Sequence, residues 1–334
     1  MKIVFIHQAP HRLHAAWLKS VTNHFYSCVP NCIFSRKRIY DFVYKHTILN
    51  QISCLIQTLF IPNADIYVVE GLKTALPAIL RKRKGVKIIL INSDTFFYNH
   101  KKAGFIIKSI YNKFLSYIDG MISTSFFMKQ MAEQYSKVPN VVVYPFVQQK
   151  YLNVCADIAS DNIIFTGRLV KDKGIGILIN AFNKIPPEYA DKLLLVGKIE
   201  EKIDEMKIPN KRIITTGWIE NVEDYLQQSS IFVDLATHES FGVSVLEAMT
   251  AGVIPIVSKN CGIKELIEPI SKDLICDRNS DLLSKKIVWL NSNFKLKQDL
   301  SANCKKVASQ FTQERSIEEF DNKFKELLGE VIPA

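Results

Sequence analysis

Ten short runs rich in valine and isoleucine, alternating with longer helical patterns, constrain the fold of this 334-residue chain more than any other feature. Five lie in the first half: KIVFI, IYVVE, KIILIN, GMISTS and VVVYP. Five lie in the second half: NIIFTG, KLLLVG, RIITTG, IFVDLA and VIPIVS. Runs that are apolar along nearly their whole length are typical of parallel strands covered by helices on both faces. The pattern predicts an α/β protein of two doubly wound domains in series, facing a central cleft.

The boundary between the two halves is predicted in a polar stretch without strong periodicity, QQKYLNVCADIAS at 148–160. We therefore assign 1–150 to an N-terminal domain and 151–311 to a C-terminal domain. The remaining residues, 312–334, contain an amphipathic pattern that predicts a helix capped by Thr312.

Charge is divided unevenly between the halves. Residues 1–150 hold 20 of the 43 basic residues and 6 of the 33 acidic ones, a net charge of +14, whereas the remainder carries −4. A strongly basic half indicates an anionic partner, such as a membrane surface, a nucleic acid or a phosphorylated substrate. No nucleic-acid recognition motif accompanies the charge, so nucleic acid is the least favoured of the three.

Targeting signals and metal sites are not expected. The chain has no run of about 18 apolar residues that would predict a membrane-spanning helix, and the apolar run near its start is too short for a signal peptide. We therefore expect a cytoplasmic protein. The seven cysteines lack the spacing of a zinc site, and buried reduced thiols are the preferred interpretation.

The first candidate binding segment is IIFTGRLVKDKGIGILINAF at 163–182, where a strand ends at Gly167 and a helix begins near Gly174. The connecting loop carries Arg168 and Lys173. A helix N-terminus next to cations is an anion site, and two cations suit a diphosphate. The glycines alone are weak evidence, and a solvated basic loop explains the stretch equally well.

The second stretch is HESFGVSVLEAMTAGVIPIVS at 238–258, in which two acids, Glu239 and Glu247, flank the start of a helix that Gly252 closes. The helix follows the strand IFVDLA, so Glu239 is expected at the carboxyl edge of the sheet, where ligands of open α/β sheets bind. Both carboxylates could accept hydrogen bonds from sugar hydroxyls. Alternatively, Glu239 is only a partner of the helix dipole and Glu247 a surface acid.

Together, these two stretches resemble the retaining nucleotide-sugar glycosyltransferases of family 4, which have the GT-B architecture. The segment between them, RIITTGWIENVEDYLQQSSIFVDLA, is similar to the same family. The resemblance is good over 160–330 and only general before that.

The resemblance implies that the second domain binds a nucleotide-sugar donor without a metal or other cofactor. Arg168 and Lys173 match the diphosphate-binding pair, Glu239 the acid beside the donor sugar, and Glu247 the acid that holds the ribose. The remaining implied donor contacts are Gly167, the backbone of Phe241, Gly242 and Val243 at the sugar and phosphate, and Gly217 and Ile219 at the base. It further implies transfer with retention, in which the leaving phosphate helps to take the acceptor proton.

The first half departs from the family pattern. HQAPHRLHAAW replaces the usual glycine-rich loop, and it offers His11 and Arg12 as acceptor-binding candidates. The histidine that family members carry near the end of the fourth strand is replaced in LINSDTFFYNH. Asp94 is the candidate for its catalytic role, and His100 is a further acceptor-binding candidate.

A membrane surface is the expected partner of the basic half, together with a lipid-linked or glycan acceptor. The pattern GFIIKSIYNKFLSYI predicts a helix with one apolar face in the core, formed by Ile107, Ile110, Tyr111, Phe114 and Ile118. Phe105 falls on the opposite side among lysines, which suits an anionic lipid interface.

Three functions remain open from sequence. The first is a glycosyltransferase that builds a surface polysaccharide or glycolipid. The second is a sugar-nucleotide enzyme of the same architecture, such as an epimerase. The third is a non-catalytic partner of another transferase that binds nucleotide sugar or membrane.

Overall fold

The computed structural model describes residues 1–7, 12–27, 52, 54–56, 58–199 and 210–329. It divides into two compact units. Unit 1 comprises Met1–Tyr144 with Ser316–Ala334, and unit 2 comprises Pro145–Arg315. The sequence-based domain limits at 150 and 311 lie a few residues from these divisions.

Unit 1 contains a six-stranded parallel sheet in the order β2-β1-β3-β4-β5-β6. Its strands are β1 (Ile3–His7), β2 (Phe25–Ser27), β3 (Ile66–Glu70), β4 (Lys87–Asn92), β5 (Gly120–Ser123) and β6 (Asn140–Val142). Its first helices are α1 (Arg12–Val21), α2 (Leu76–Arg81), α3 (Phe96–Lys102), α4 (Phe105–Leu115) and α5 (Phe126–Glu133). A single 3₁₀ turn, Leu72–Thr74, follows β3.

Unit 2 contains a second six-stranded parallel sheet, in the order β12-β11-β10-β7-β8-β9. Its strands are β7 (Ile163–Thr166), β8 (Leu193–Val196), β9 (Ile213–Gly217), β10 (Ile231–Asp234), β11 (Ile254–Ser258) and β12 (Ile275–Cys276). Its helices are α6 (Gln149–Leu152), α7 (Ile175–Phe182), α8 (Glu223–Gln227), α9 (Val243–Ala251), α10 (Lys264–Ile267), α11 (Ser280–Asn291) and α12 (Phe294–Ala308).

The prediction of two doubly wound parallel sheets is confirmed, and every one of the ten apolar runs contributes a strand. Two further strands, β2 and β12, were not predicted. Both are edge strands of three and two residues, too short to show a periodicity.

The last helix, α13 (Gln313–Leu328), packs on unit 1. Phe320 stacks on Trp17 of α1 with ring centroids 5.7 Å apart, and the Trp17 indole N–H donates to Ser316 Oγ at 2.9 Å. At its start, Thr312 Oγ1 accepts from the Arg315 N–H at 3.3 Å. Burying a large apolar side chain such as Phe320 stabilises a fold by about 1.5–3 kcal/mol, so α13 is a structural part of unit 1.

Helix α4 corrects one expectation. Tyr111, Leu115 and the following Ile118 are buried, but Ile107 and Ile110 are 40% and 46% exposed instead of lying in the core. The first turn of the helix is also exposed to solvent, because the Phe105 and Ile106 residues are 85% and 73% exposed. The helix packs through a narrower stripe than its periodicity predicted, and apolar side chains are left on its outer face.

Four of the five described cysteines, at positions 54, 261, 276 and 304, are buried and unbridged, as predicted. Cys155 is exposed, which corrects the expectation for that position. Cys28 and Cys32 lie outside the described residues. Within the part of the chain that the structure describes, no helix has both the length and the apolar character needed to span a bilayer.

Candidate functional site

The carboxyl edge of the second sheet has a topological switch point between β7 and β10. The chain runs from β7 through β8 to β9 on one side, then crosses back to β10 and continues to the other edge. Connections that leave neighbouring strands in opposite directions open a crevice, and ligands of doubly wound sheets bind there. The loops after β7 and β10 carry both stretches that the sequence singled out.

The loop after β7 is fastened to the loop after β10 by its backbone. Gly174 has a φ of +75°, and a Cβ at this position would lie 2.5 Å from the Leu235 carbonyl oxygen. Two residues earlier, the Asp172 carbonyl accepts from the Thr237 N–H at 2.7 Å. Only glycine fits this approach, which brings the basic loop against the end of β10.

Lys173 lies between two carboxylates in this crevice. Its ammonium forms ion pairs with Asp234 Oδ2 at 3.2 Å and with Glu239. The Asp234 side chain is fully buried at the end of β10, and one of its oxygens accepts from the Ala236 N–H at 3.0 Å. The structure therefore brings two predicted residues, Lys173 and Glu239, into direct contact.

The three groups shift one another's protonation. Burial alone would lower the pKa of Lys173, but the attraction of the Asp234 and Glu239 carboxylates is stronger, so the pKa of Lys173 is raised. Burial alone would raise the pKa of Glu239, but the attraction of the Lys173 ammonium is stronger, so the pKa of Glu239 is lowered. Burial raises the pKa of Asp234, which is the most enclosed of the three. Lys173 and Glu239 are therefore held in their charged forms at neutral pH.

Helix α9 begins directly beside this cluster. Gly242, with a φ of +106°, precedes its first residue, Val243, and Phe241 is buried. The Phe241 N–H donates to the Glu239 carboxylate, while the Glu239 backbone pairs with Asn260 and Gly262 on the neighbouring loop. The exposed amide groups of a helix's first turn and its dipole favour an anion at this position.

Glu247 lies one turn further along α9, in a separate polar group. It shares a hydrogen bond with Tyr151 of α6, and Lys150 and Glu223 are the charged residues that act on it. Burial is the main cause that raises the pKa of Glu247 to about 8. Lys150 Nζ in turn donates to Glu223 Oε2 at 2.9 Å.

The other predicted donor residues lie on loops at the same edge of the sheet. Gly167 and Arg168 follow β7 and are exposed. A Cβ on Gly197, after β8, would lie 1.7 Å from the Gly167 carbonyl oxygen, so these two loops touch through backbone alone. Gly217 ends β9 with a φ of +71°, and Ile219 follows it half-buried.

In unit 1, Asp94 lies just beyond β4 in a polar cluster of its own. The Phe96 N–H donates to Asp94 Oδ1 at 2.9 Å. Burial raises the pKa of Asp94, Lys73 and His14 oppose that rise, and Glu70 adds to it. His14 Nδ1 and Glu70 Oε1 lie 2.6 Å apart.

Of the three acceptor candidates, the structure describes Arg12 and His100, while His11 lies outside the described residues. Arg12 is exposed at the first position of α1. His100 is 3% exposed, packs on Phe96 and Tyr135, and places Nε2 3.0 Å from Asn112 Oδ1. These are the contacts of a core histidine, and an acceptor role for His100 remains a prediction.

The predicted site residues did not include Asp234, Glu70, Lys73 or His14. The sequence does contain a signal for two of them, because Asp234 ends the apolar strand IFVD and Glu70 ends the apolar strand IYVVE. The carboxyl ends of such strands form the edge of the sheet where ligands bind. His14 and Lys73 gave no such signal, since the fold alone brings them beside Glu70 and Asp94.

Comparisons with known proteins agree with this geometry. Residues 159–307 match the family model of glycosyl transferases group 1. An uncharacterized glycosyltransferase of Methanocaldococcus jannaschii is 25% identical over 73% of this chain and 67% of its own length. The alpha-monoglucosyldiacylglycerol synthase of Acholeplasma laidlawii is 26% identical over 42% of this chain, but only 37% of that protein's length is matched.

Among solved structures, Anabaena HepE in complex with UDP superposes with a TM-score of 0.78 over 98% of this chain and 100% of its own, at 14% identity. The fold is therefore the GT-B fold of glycosyltransferases. The similarity to glycosyl transferases group 1 is carried by residues 159–307, which lie within unit 2.

Proposed function

We propose that this chain transfers a sugar from a nucleotide-sugar donor to a glycan or lipid-linked acceptor, with retention of configuration and without a metal, in surface polysaccharide or glycolipid biosynthesis. The observation that carries the proposal is the group of Lys173, Glu239 and Asp234 at the switch point of unit 2, beside the N-terminus of α9. It combines a fixed cation, a helix dipole and a carboxylate suited to sugar hydroxyls.

The chemistry follows from where charge develops. When the glycosidic bond to the nucleoside diphosphate breaks, negative charge grows on the leaving phosphate. Arg168, Lys173 and the first-turn amides of α9 stabilise that charge more in the transition state than in the ground state. Glu239 holds the donor sugar, and the leaving phosphate helps to take the acceptor proton. Asp94 is the catalytic candidate that unit 1 contributes.

The nucleoside is held by the loops around the same crevice. Glu247 accepts hydrogen bonds from the ribose hydroxyls, and the backbone at Gly217 and Ile219 borders the base. The complex of HepE with UDP supports a nucleotide donor for a chain of this fold. The name of the Acholeplasma relative, a synthase of a glycosylated diacylglycerol, supports a lipid acceptor.

We further propose that unit 1 binds an anionic lipid surface, which makes the protein peripheral on the inner face of the cell membrane. The apolar surface of α4, formed by Phe105, Ile106, Ile107 and Ile110, is exposed. The α3–α4 segment, 96–115, carries four lysines and no acidic residue. Exposed apolar side chains among lysines suit a bilayer with anionic headgroups.

A thermal-shift screen of nucleoside diphosphates and nucleotide sugars tests the donor site. A ligand at 100 times its Kd stabilises the folded state by about 2.7 kcal/mol, which raises the melting temperature measurably. We expect a selective rise that the Arg168→Ala protein loses. Lys192→Ala is the matched control, because it removes an exposed cation at the amino end of β8, away from the switch point.

No shift with any nucleotide would contradict the donor site and favour a non-catalytic partner of another transferase. A shift without transfer to any acceptor would favour the epimerase alternative. The anomeric configuration of the product, read by proton NMR, tests retention directly.

Liposome co-sedimentation tests the membrane surface. We expect binding to vesicles with anionic lipid, weaker binding to neutral vesicles, and weaker binding at high salt. Phe105→Ser should reduce binding. The matched control is Phe294→Ser, which removes from unit 2 a phenylalanine that is 52% exposed and, like Phe105, is the first residue of its helix. Equal loss in both variants, or no binding at low salt, would reject the proposal.

A further inference from the structure

The hydrogen bond between Tyr151 and Glu247 connects the start of unit 2 with the acid proposed to hold the ribose. Tyr151 is 4% exposed, and its hydroxyl donates to the Glu247 carboxylate. Glu247 itself is only partly buried, so a ligand can reach it. A carboxylate offers about four lone-pair sites, so one donor leaves others for the hydroxyls of a ligand. Because the phenol is neutral, it orients the carboxylate without cancelling its charge.

Backbone hydrogen bonds fix the segment that follows Tyr151 against two helices. The Ala156 N–H donates at 2.8 Å to the carbonyl of Ala251, the last residue of α9. The Asp157 N–H donates at 2.8 Å to the carbonyl of Gln227, the last residue of α8. Helix α6, which carries Tyr151, also packs on α9. The position of the Tyr151 ring is therefore set by the backbone as well as by its hydroxyl.

A neighbouring ion pair adds to the charges around Glu247. Lys150 Nζ lies 2.9 Å from Glu223 Oε2. Burial alone would raise the pKa of Glu223, but the hydrogen bond from Lys150 is stronger, so the pKa of Glu223 is lowered. The ionised Glu223 disfavours ionisation of Glu247, whereas Lys150 and the phenol favour it. Helix α12, which also packs on α9, contacts the end of that helix through the uncharged Ser301 hydroxyl.

We propose that Tyr151 is a positioning residue of the donor site, whose hydroxyl holds the Glu247 carboxylate in the orientation that accepts hydrogen bonds from the ribose of a nucleoside diphosphate. Glu247 contacts the ribose, and Tyr151 acts through Glu247. The assignment rests on the proposed function, which places the ribose at this acid. Since the phenol favours the ionised carboxylate, Tyr151 also affects the pH at which the ribose hydroxyls are recognised.

Calorimetric titration of the full chain with ADP, CDP, GDP and UDP, each paired with its 2′-deoxy counterpart, tests the assignment. The two ligands of a pair share their base and phosphates, so the ratio of their Kd values reports recognition of the 2′-hydroxyl. We expect a preference of about tenfold for the ribonucleotide that binds, as for one hydrogen bond to a charged group. The preference should increase from pH 7 to pH 9, because Glu247, with a pKa of about 8, loses its proton over this range.

Tyr151→Phe keeps the ring and removes the hydroxyl. It should reduce the preference at pH 8 to about threefold or less, and it should move the increase to higher pH, because a hydrogen bond that lowers the pKa of Glu247 is lost. Lys150→Met should move the increase in the same direction, since it removes a cation that favours the ionised carboxylate. If Tyr151→Phe fails to fold, Lys150→Met provides the measurement.

Tyr189→Phe is the matched control, because it removes a phenol hydroxyl from the turn that precedes β8, at the amino end of the strands of the same sheet. Its Kd ratio and the pH dependence of that ratio should equal those of the wild type.

An unchanged ratio in a folded Tyr151→Phe protein would overturn the assignment, because phenylalanine keeps a ring that only fills space. A lower ratio whose pH dependence has not moved would overturn it as well, since a loss of packing alone does not change the pKa of Glu247. Equal Kd values for both members of every pair in the wild type would have the same meaning. Absence of binding by every nucleoside diphosphate would instead reject the proposed function, and the assignment with it.

Discussion

At the scale of single residues, Gly174 sets the position of the candidate donor site. Replacement by alanine is expected to destabilise unit 2 by more than about 2 kcal/mol, because strain at positive φ adds to the clash with the Leu235 carbonyl. Urea unfolding measures the change. Gly85→Ala is the control, with a φ of +87° and open space around its Cβ, and it should cost only about 1 kcal/mol. Equal costs would mean that the close approach is unimportant.

Glu247 should make stability depend on pH. Its pKa is raised by burial to about 8 in the folded state, so the folded protein binds a proton that the unfolded chain releases near its ordinary value. This contribution to the free energy of unfolding is present below the ordinary pKa and is lost as the pH rises toward 8. The Glu247→Gln variant lacks the effect.

The difference between Glu247→Gln and wild type should therefore grow from pH 5 to pH 8 in favour of the variant, by on the order of 2 kcal/mol after allowance for solvent screening. Denaturant unfolding at both pH values measures it. A constant difference across this range would show that Glu247 keeps an ordinary pKa.

At the scale of elements, α11 illustrates a helix whose start depends on one side chain. Asn279 Oδ1 accepts from the N–H groups of Asp281 and Leu282 at 2.8 and 3.0 Å. Asn279→Ala is expected to cost about 1 kcal/mol in the free energy of unfolding, because two helix-terminal donors lose their acceptor. Ser292→Ala at the other end of α11 removes a hydroxyl that caps no donor of the first turn, and it should cost less than half as much.

Elements also show where periodicity fails. The pattern in α4 correctly predicted a helix, but periodicity could not tell which apolar positions have a neighbour to pack against. Tyr111 and Leu115 meet the core, whereas Ile107 and Ile110 do not. The apolar positions on a helix face can be counted from the local sequence. How many of them are buried depends on the neighbouring elements against which that face packs.

At the scale of the whole molecule, the chain leaves unit 1 at Tyr144 and returns to it at Ser316. Truncation after Arg315 removes Phe320, Phe324 and Leu327 from the core of unit 1. We expect unit 1 to become sensitive to proteolysis while unit 2 keeps its nucleotide thermal shift, because unit 2 retains its own sheet and core. Limited proteolysis with mass spectrometry identifies which unit is cut. Loss of protection in both units would show that they depend on one another.

The sequence by itself determined the class of fold and the segments that bear the candidate donor site. Strand composition, the paired acids and the basic loop are properties of contiguous residues, so they are visible without coordinates. The tertiary structure decided which side chains meet. Lys173 and Glu239 are 66 residues apart, and His14 and Glu70 are 56 apart. Such pairs form only because parallel strands bring the ends of distant segments to one edge of a sheet. A local sequence pattern therefore does not predict which of these residues come into contact.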